Sequence, residues 1–125
     1  MPRARLSAKL VPALLVRDMP ATLAFYRLLG FAVTGCHPDD AHPTWAEVQR
    51  DGVTLQFHTE PPHGTPRAPG CSGTFYFYPD DVEALADELR GHVAFAWGPE
   101  VMDYGMREFG VQDPNGYWLA FTEPA

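Results

Sequence analysis

Basic charge is scarce in this sequence: nine Lys and Arg stand against sixteen Asp and Glu, leaving a formal net charge of −7 and a pI near 5.0. That balance argues against a nucleic-acid partner, whose phosphates require a basic face, and it suits a cationic ligand. Cysteine is scarce as well. Cys36 and Cys71 form no CxxC or zinc spacing and read as small, semi-buried thiols, not as a disulfide, so a reducing cytoplasm is the expected location. Long apolar runs are lacking too. The stretch 10–16 is interrupted by Pro12 and stopped by Arg17-Asp18, too short for a membrane span or a signal peptide, so we expect a frayed N-terminal arm and no membrane partner.

What the sequence does have is core material, turns and repetition. A hydrophobic content of 46% with 13% aromatic residues is ample for one packed domain of 125 residues, or for two half-modules sharing a core. Asp113-Pro-Asn-Gly116 is hairpin chemistry: proline presets φ, Asn and Gly accept positive φ, and alternating residues flank the turn. Gly116-Tyr-Trp-Leu-Ala-Phe121 also lines up with Gly52-Val-Thr-Leu-Gln-Phe57, and Thr-Glu-Pro closes both copies at Thr59–Pro61 and Thr122–Pro124. Upstream, Val11 aligns with Thr74 and Asp18-Met19 with Asp81-Val82 at one constant offset, which marks the chain as a duplication.

Each copy reads as βαβββ. In the first, 10–16 is a strand, Asp18 caps a helix with Pro20 in its first turn and a stop at Gly30, 31–36 is a strand, and 45–49 with 53–58 makes a hairpin. In the second, 74–78 is a strand, Asp80-Asp81 caps a helix to Gly91, 92–97 is a short strand, and the closing hairpin follows. The proline-rich segment between them reads as a linker. The expected organisation is therefore a first module over 9–61, a linker over 62–72 and a second module over 73–124, forming one compact α+β domain.

The stretches Pro12–Met19, Leu23–Phe31 and Arg107–Gly116 resemble the vicinal oxygen chelate superfamily, which holds glyoxalase I, extradiol dioxygenases and the bleomycin-resistance proteins. The resemblance implies two tandem βαβββ modules whose mixed sheets curl into a cup, with one helix per module outside and the ligand within. It also implies four metal-ligand positions in the metal-using members, which fall here on Val11, Gln56, Thr74 and Ala120. Valine and alanine cannot bind a metal, threonine is a poor ligand, and one Gln amide cannot hold a divalent ion alone. No metal is expected, although His58, on the same strand face as Gln56, or the His37/His42 pair could supply a displaced site.

The strand period of two turns Thr54, Gln56 and His58, then Thr74, Tyr76 and Tyr78, then Trp118, Ala120 and Thr122 towards the cup. Their alternates Val53, Leu55, Phe57, Phe75, Phe77, Leu119 and Phe121 are turned towards the helices. Such a face offers aromatic rings with polar tips, suited to a planar organic ligand. It lacks a nucleophile with its base and lacks paired carboxylates, so no catalytic residue and no cofactor are expected. By resemblance Tyr104 to Glu108 lines the crevice mouth. Only one of Arg107 and Glu108 can face inwards; Arg107 joins the candidate set with Thr54, Gln56, His58, Tyr76, Tyr78, Tyr104 and Trp118, and Glu47 is balanced between inside and out.

The reading is a metal-free binding protein of the bleomycin-resistance type that sequesters a planar, cationic antibiotic or metabolite, as a homodimer. The alternatives are a glyoxalase- or dioxygenase-like metalloenzyme and a partner-binding protein whose cup is vestigial or filled with side chains. Elemental analysis separates the first two: purified protein is expected to hold no stoichiometric Zn, Ni, Mn or Fe. Near one equivalent of any of them, lost on His58→Ala, would overturn the metal-free reading.

Overall fold

The computed structural model of the chain describes residues 3–60 and 68–125. Its elements run β1 (Ala13–Leu15), α1 (Met19–Leu28), β2 (Ala32–His37), β3 (Trp45–Arg50), β4 (Val53–His58), β5 (Thr74–Phe77), α2 (Val82–Leu89), β6 (Trp97–Val101), β7 (Met106–Gln112) and β8 (Trp118–Pro124). The duplicated βαβββ pattern is present. Each module forms its own four-stranded sheet, in the orders β1-β4-β3-β2 and β5-β8-β7-β6, with the first strand parallel to the last and the rest antiparallel.

Three local expectations are corrected. The strand expected over 92–97 begins only at Trp97, because Gly91 ends α2 at φ +87 and the following residues make just one isolated bridge, Arg90 to Val93. The first strand is cut to Ala13–Leu15, since Pro12 has no N–H to give and contributes only its carbonyl, to Gln56 N at 2.9 Å. Asn115 keeps an ordinary φ in its turn, and Gly116 alone takes the positive value, +91. Residues 62–67 of the expected linker lie outside the described residues, and 68–72 carry no helix or strand.

Both helices start on the same device. The Asp18 carboxylate accepts from Ala21 N and the Asp81 carboxylate from Ala84 N, each at 3.0 Å, satisfying donors that the first turn leaves unpaired. One buried cluster then joins the modules. Leu23 and Tyr26 of α1, Val48 and Phe57 of the first sheet, Ala86 and Leu89 of α2, and Phe109 and Phe121 of the second sheet all belong to it. The alternates expected to pack towards the helices do so: Leu55, Phe57, Leu119 and Phe121 are buried, while Val53, Phe75 and Phe77 are partly buried against the same cluster. The strand order gives two separate four-stranded sheets, one per module, whose apolar faces share one core.

The modules dock reciprocally, each hairpin turn on the other module's helix. At one junction Tyr26 Oη donates to Asp113 Oδ2 at 2.8 Å, Asn115 Nδ2 donates to Thr22 Oγ1 at 3.1 Å, and Tyr117 Oη reaches Leu15 O at 2.7 Å. The other Asp113 oxygen accepts from Asn115 N and Tyr117 N, so this 4% exposed carboxylate is fully engaged. At the opposite junction Arg50 grips Glu88 of α2 with two parallel bonds of 2.7 and 3.0 Å, and also donates to Leu29 O at 2.7 Å. Gly30, at φ +86, permits that approach: a Cβ there would lie 2.5 Å from the guanidinium.

Burial first, then the Asp113 charge, pushes the Tyr26 phenol far above its ordinary 10.0. Tyr26→Phe is expected to cost about 1.5–3 kcal/mol at neutral pH, the worth of a buried hydrogen bond to a charged group. Because the folded-state pKa is raised, the phenol's contribution is complete below pH 10 and is lost as pH rises further. The variant should therefore lose less stability than the parent between roughly pH 9 and 11. Urea midpoints at both pH values check this, and equal midpoints at neutral pH would contradict it.

Candidate functional site

The faces turned away from the shared core carry the polar and aromatic residues. On the second sheet, β7 and β8 set Glu108 beside Thr122 and Gly110 beside Ala120, and β6 sets Trp97 beside Gly110. Gly110 is what lets Trp97 lie over the sheet, since a Cβ there would come within 2.2 Å of the indole. Trp97 meets Trp118 with ring centroids 5.8 Å apart at 49°. Glu108, on the same face, is only 1% exposed. Trp97 Nε1 donates to one of its oxygens at 2.9 Å and Tyr104 Oη to the other at 2.7 Å.

A carboxylate at that depth ordinarily takes a cation, because desolvating a charge is costly. Among the described residues Glu108 has two neutral donors and no ion pair. The Thr122 hydroxyl on the same face is buried with no hydrogen-bond partner among the described residues. Tyr76 and Tyr104, at 49% and 54% exposed, leave their rings open to solvent and are not core. Glu108, and to a lesser degree burial, pushes the Tyr104 phenol well above its ordinary value, with a further push from Tyr76.

On the first sheet Glu47 is the hub. Gln56 Nε2 donates to it at 3.1 Å and Thr34 Oγ1 at 2.9 Å, and these two bonds hold its carboxyl below the usual range. His58 Nδ1 lies 2.8 Å from Glu60 O, and Trp45 sits beside His58 in the ladder and over Gly35. No described hydrogen bond or aromatic contact links this cluster to that of Glu108.

Six of the eight candidates lie on these two faces or their rims, but not all together. Thr54, Gln56 and His58 share β4, whereas Tyr76, Tyr104 and Trp118 gather on the second sheet. Arg107 is corrected: it points to the α2 side, its Nε 3.9 Å from Glu83, and Glu108 is the inward member of the pair. Tyr78 is corrected too, for it lies past the end of β5, 71% exposed, in a cleft between the modules. Trp97 was not singled out from sequence, where the signal was Gly110, whose missing side chain accommodates an indole, and Glu108 was weighed only as the alternative to Arg107.

The Glyoxalase/Bleomycin resistance protein/Dioxygenase superfamily matches residues 10–121. The chain belongs to that superfamily. Among solved structures, a bleomycin-binding protein complexed with bleomycin is similar at 22% identity and TM-score 0.70, covering 95% of this chain and all of that one. TnmS3, an antibiotic-binding protein from Streptomyces sp. CB03234, is similar at 24% identity and TM-score 0.74, covering 98% and 100%. A bleomycin resistance determinant encoded on the transposon Tn5 follows at 24% and 0.66, covering 94% and 98%. These likenesses are of fold. No curated protein matches the chain at a significant level.

The superfamily's metal-using members prompt a test of the donor set. Gln56 is flanked by Ala13 on β1 and by Glu47 on β3, a single carboxylate that already accepts from the Gln56 amide, and Ala120 is flanked by Tyr76 on β5 and Gly110 on β7. Val11, Gln56, Thr74 and Ala120 do not fit a divalent metal. Among the described residues no three His, Cys, Asp or Glu group together to hold one.

The Tyr104–Glu108 bond is open to direct titration. Tyr104 is expected to ionise well above free tyrosine, and Glu108→Gln, which removes the charge, to bring it back down. Tyrosinate absorbance identifies Tyr104 by the step lost in Tyr104→Phe. An unchanged step in Glu108→Gln would refute the bond.

Proposed function

We propose that this chain is a metal-free, non-catalytic binding protein that sequesters a planar, cationic antibiotic or metabolite in the cytoplasm, in the manner of the bleomycin-resistance proteins. The observation that carries the reading is the buried Glu108 carboxylate, bonded to Trp97, whose ring meets Trp118, and to Tyr104, with these neutral donors as its only described partners. Aromatic faces attract cations, and a buried anion among them adds charge complementarity without needing any reaction. Trp118 and Tyr76 serve as stacking surfaces, and Tyr104 as a polar rim residue.

The second element of the proposal is a homodimer. Each sheet has one face in the core and one facing away, and among the described residues no hydrogen bond or aromatic contact joins the two outward faces. A two-fold axis sets the Trp118 face of one copy opposite the Thr54, Gln56 and His58 face of the other and makes two equivalent clefts. The net charge of −7 assists the approach of a cation by long-range attraction.

The experiment is titration with a bleomycin-type glycopeptide, followed by tryptophan fluorescence and calorimetry at low and high salt. Trp118→Ala should weaken binding roughly tenfold or more, and salt should slow association more than it speeds release. Sedimentation should give twice the 13.9 kDa chain mass. Absence of heat, of quenching and of protection in expressing cells would sink the bleomycin assignment, and a one-chain mass at micromolar concentration would sink the dimer.

A further inference from the structure

The two module junctions are related by the duplication, yet one is sealed and the other is open. Tyr26, Asp113 and Tyr117 fill the first, with exposures of 0, 4 and 3%. The positions that correspond to them in the second are Leu89, Arg50 and Val53, from the constant offset along the helices and the paired ends of the two hairpins. Two phenol rings are thereby exchanged for Leu and Val, and a half-open cleft of about 470 Å³ remains. Its floor is apolar, formed by Phe31, Val53, Phe77, Leu85 and Phe121. Asp51, Asp80, Asp81 and Glu88 stand around it against Arg50, the one cation among its described lining residues.

The carboxylates differ in how far they are engaged. Glu88 is bound to Arg50, Asp51 lies 3.6 Å from the same guanidinium, and Asp81 caps α2. Asp80 is exposed and makes no hydrogen bond or ion pair among the described residues, which leaves an unneutralised negative charge above an apolar floor. We infer that this junction cleft is a second binding site, separate from the aromatic sheet face, for a small amine carrying one aromatic ring. The ring takes the space that Tyr117 fills at the sealed junction, and the ammonium lies at the Asp80 and Asp51 rim. The assignment is independent of what binds near Glu108.

Phenethylamine is the probe, with toluene as its neutral counterpart, and the readout is protein NMR of the Val53 and Leu85 methyl groups. Phenethylamine should shift both signals saturably, and toluene should bind at least fivefold more weakly. Asp80→Asn should weaken the amine several-fold. Val53→Tyr, which restores the ring present at the sealed junction, should weaken it at least tenfold. Leu85→Phe, filling the cleft from the α2 side, gives the same test should Val53→Tyr fail to fold. Trp118→Ala should leave these shifts unchanged. No saturable shift, equal binding of toluene, or undiminished binding in a folded cleft-filling variant would overturn the assignment.

Discussion

The Asp113 carboxylate is the point on which the two halves of this molecule depend. Buried to 4% exposure, it accepts from the Tyr26 hydroxyl of the opposite module and from two backbone amides of its own turn. Three parts of the chain thereby take their positions: α1, held through Tyr26 and through Thr22 by Asn115, the β7–β8 turn, and the end of β1 through Tyr117. A buried charge so arranged tolerates little change, because any lost donor leaves an oxygen desolvated and unpaired.

With the modules held in that way, their apolar faces are committed to one core and their other faces are left outward. The consequence for function is a division of labour between sides of the same strands. Along β8, Leu119 and Phe121 pack inward while Trp118, Ala120 and Thr122 face the other way, onto the surface proposed to bind the ligand. Mutations on the two registers should therefore act on different properties, stability for one and ligand affinity for the other.

Much of this was legible in the sequence because it rests on local chemistry. The duplication, both Asp N-caps, the glycine after α1 and the alternation along β4 and β8 each depend on residues within a few positions of one another. What was not legible depends on where distant residues meet. The inward choice between Arg107 and Glu108 is made by Trp97 and Tyr104 on one side and Glu83 on the other, and a two-residue pattern carries no such information. The place of Tyr78 turns on where β5 stops, and the shared core depends on how two modules pack, which neither module's pattern contains. Asn115 was read as a turn former, whereas its side chain ties the turn to Arg17 N and Thr22 of the other module.

The separation of Tyr26 from Asp113 by 87 residues has a bearing on how the chain is made. Translation at about 5–20 residues per second places roughly 4–17 s between the emergence of the two partners. A first module folded during that interval would have a helix-side face without its cover, with Phe57 and Tyr26 lacking the second module's share of the common core. The β7–β8 hairpin is the element that closes it. Nascent chains halted before Asp113 would thus be the aggregation-prone form, and emergence of that hairpin would be the step that lets the two modules seal their common core.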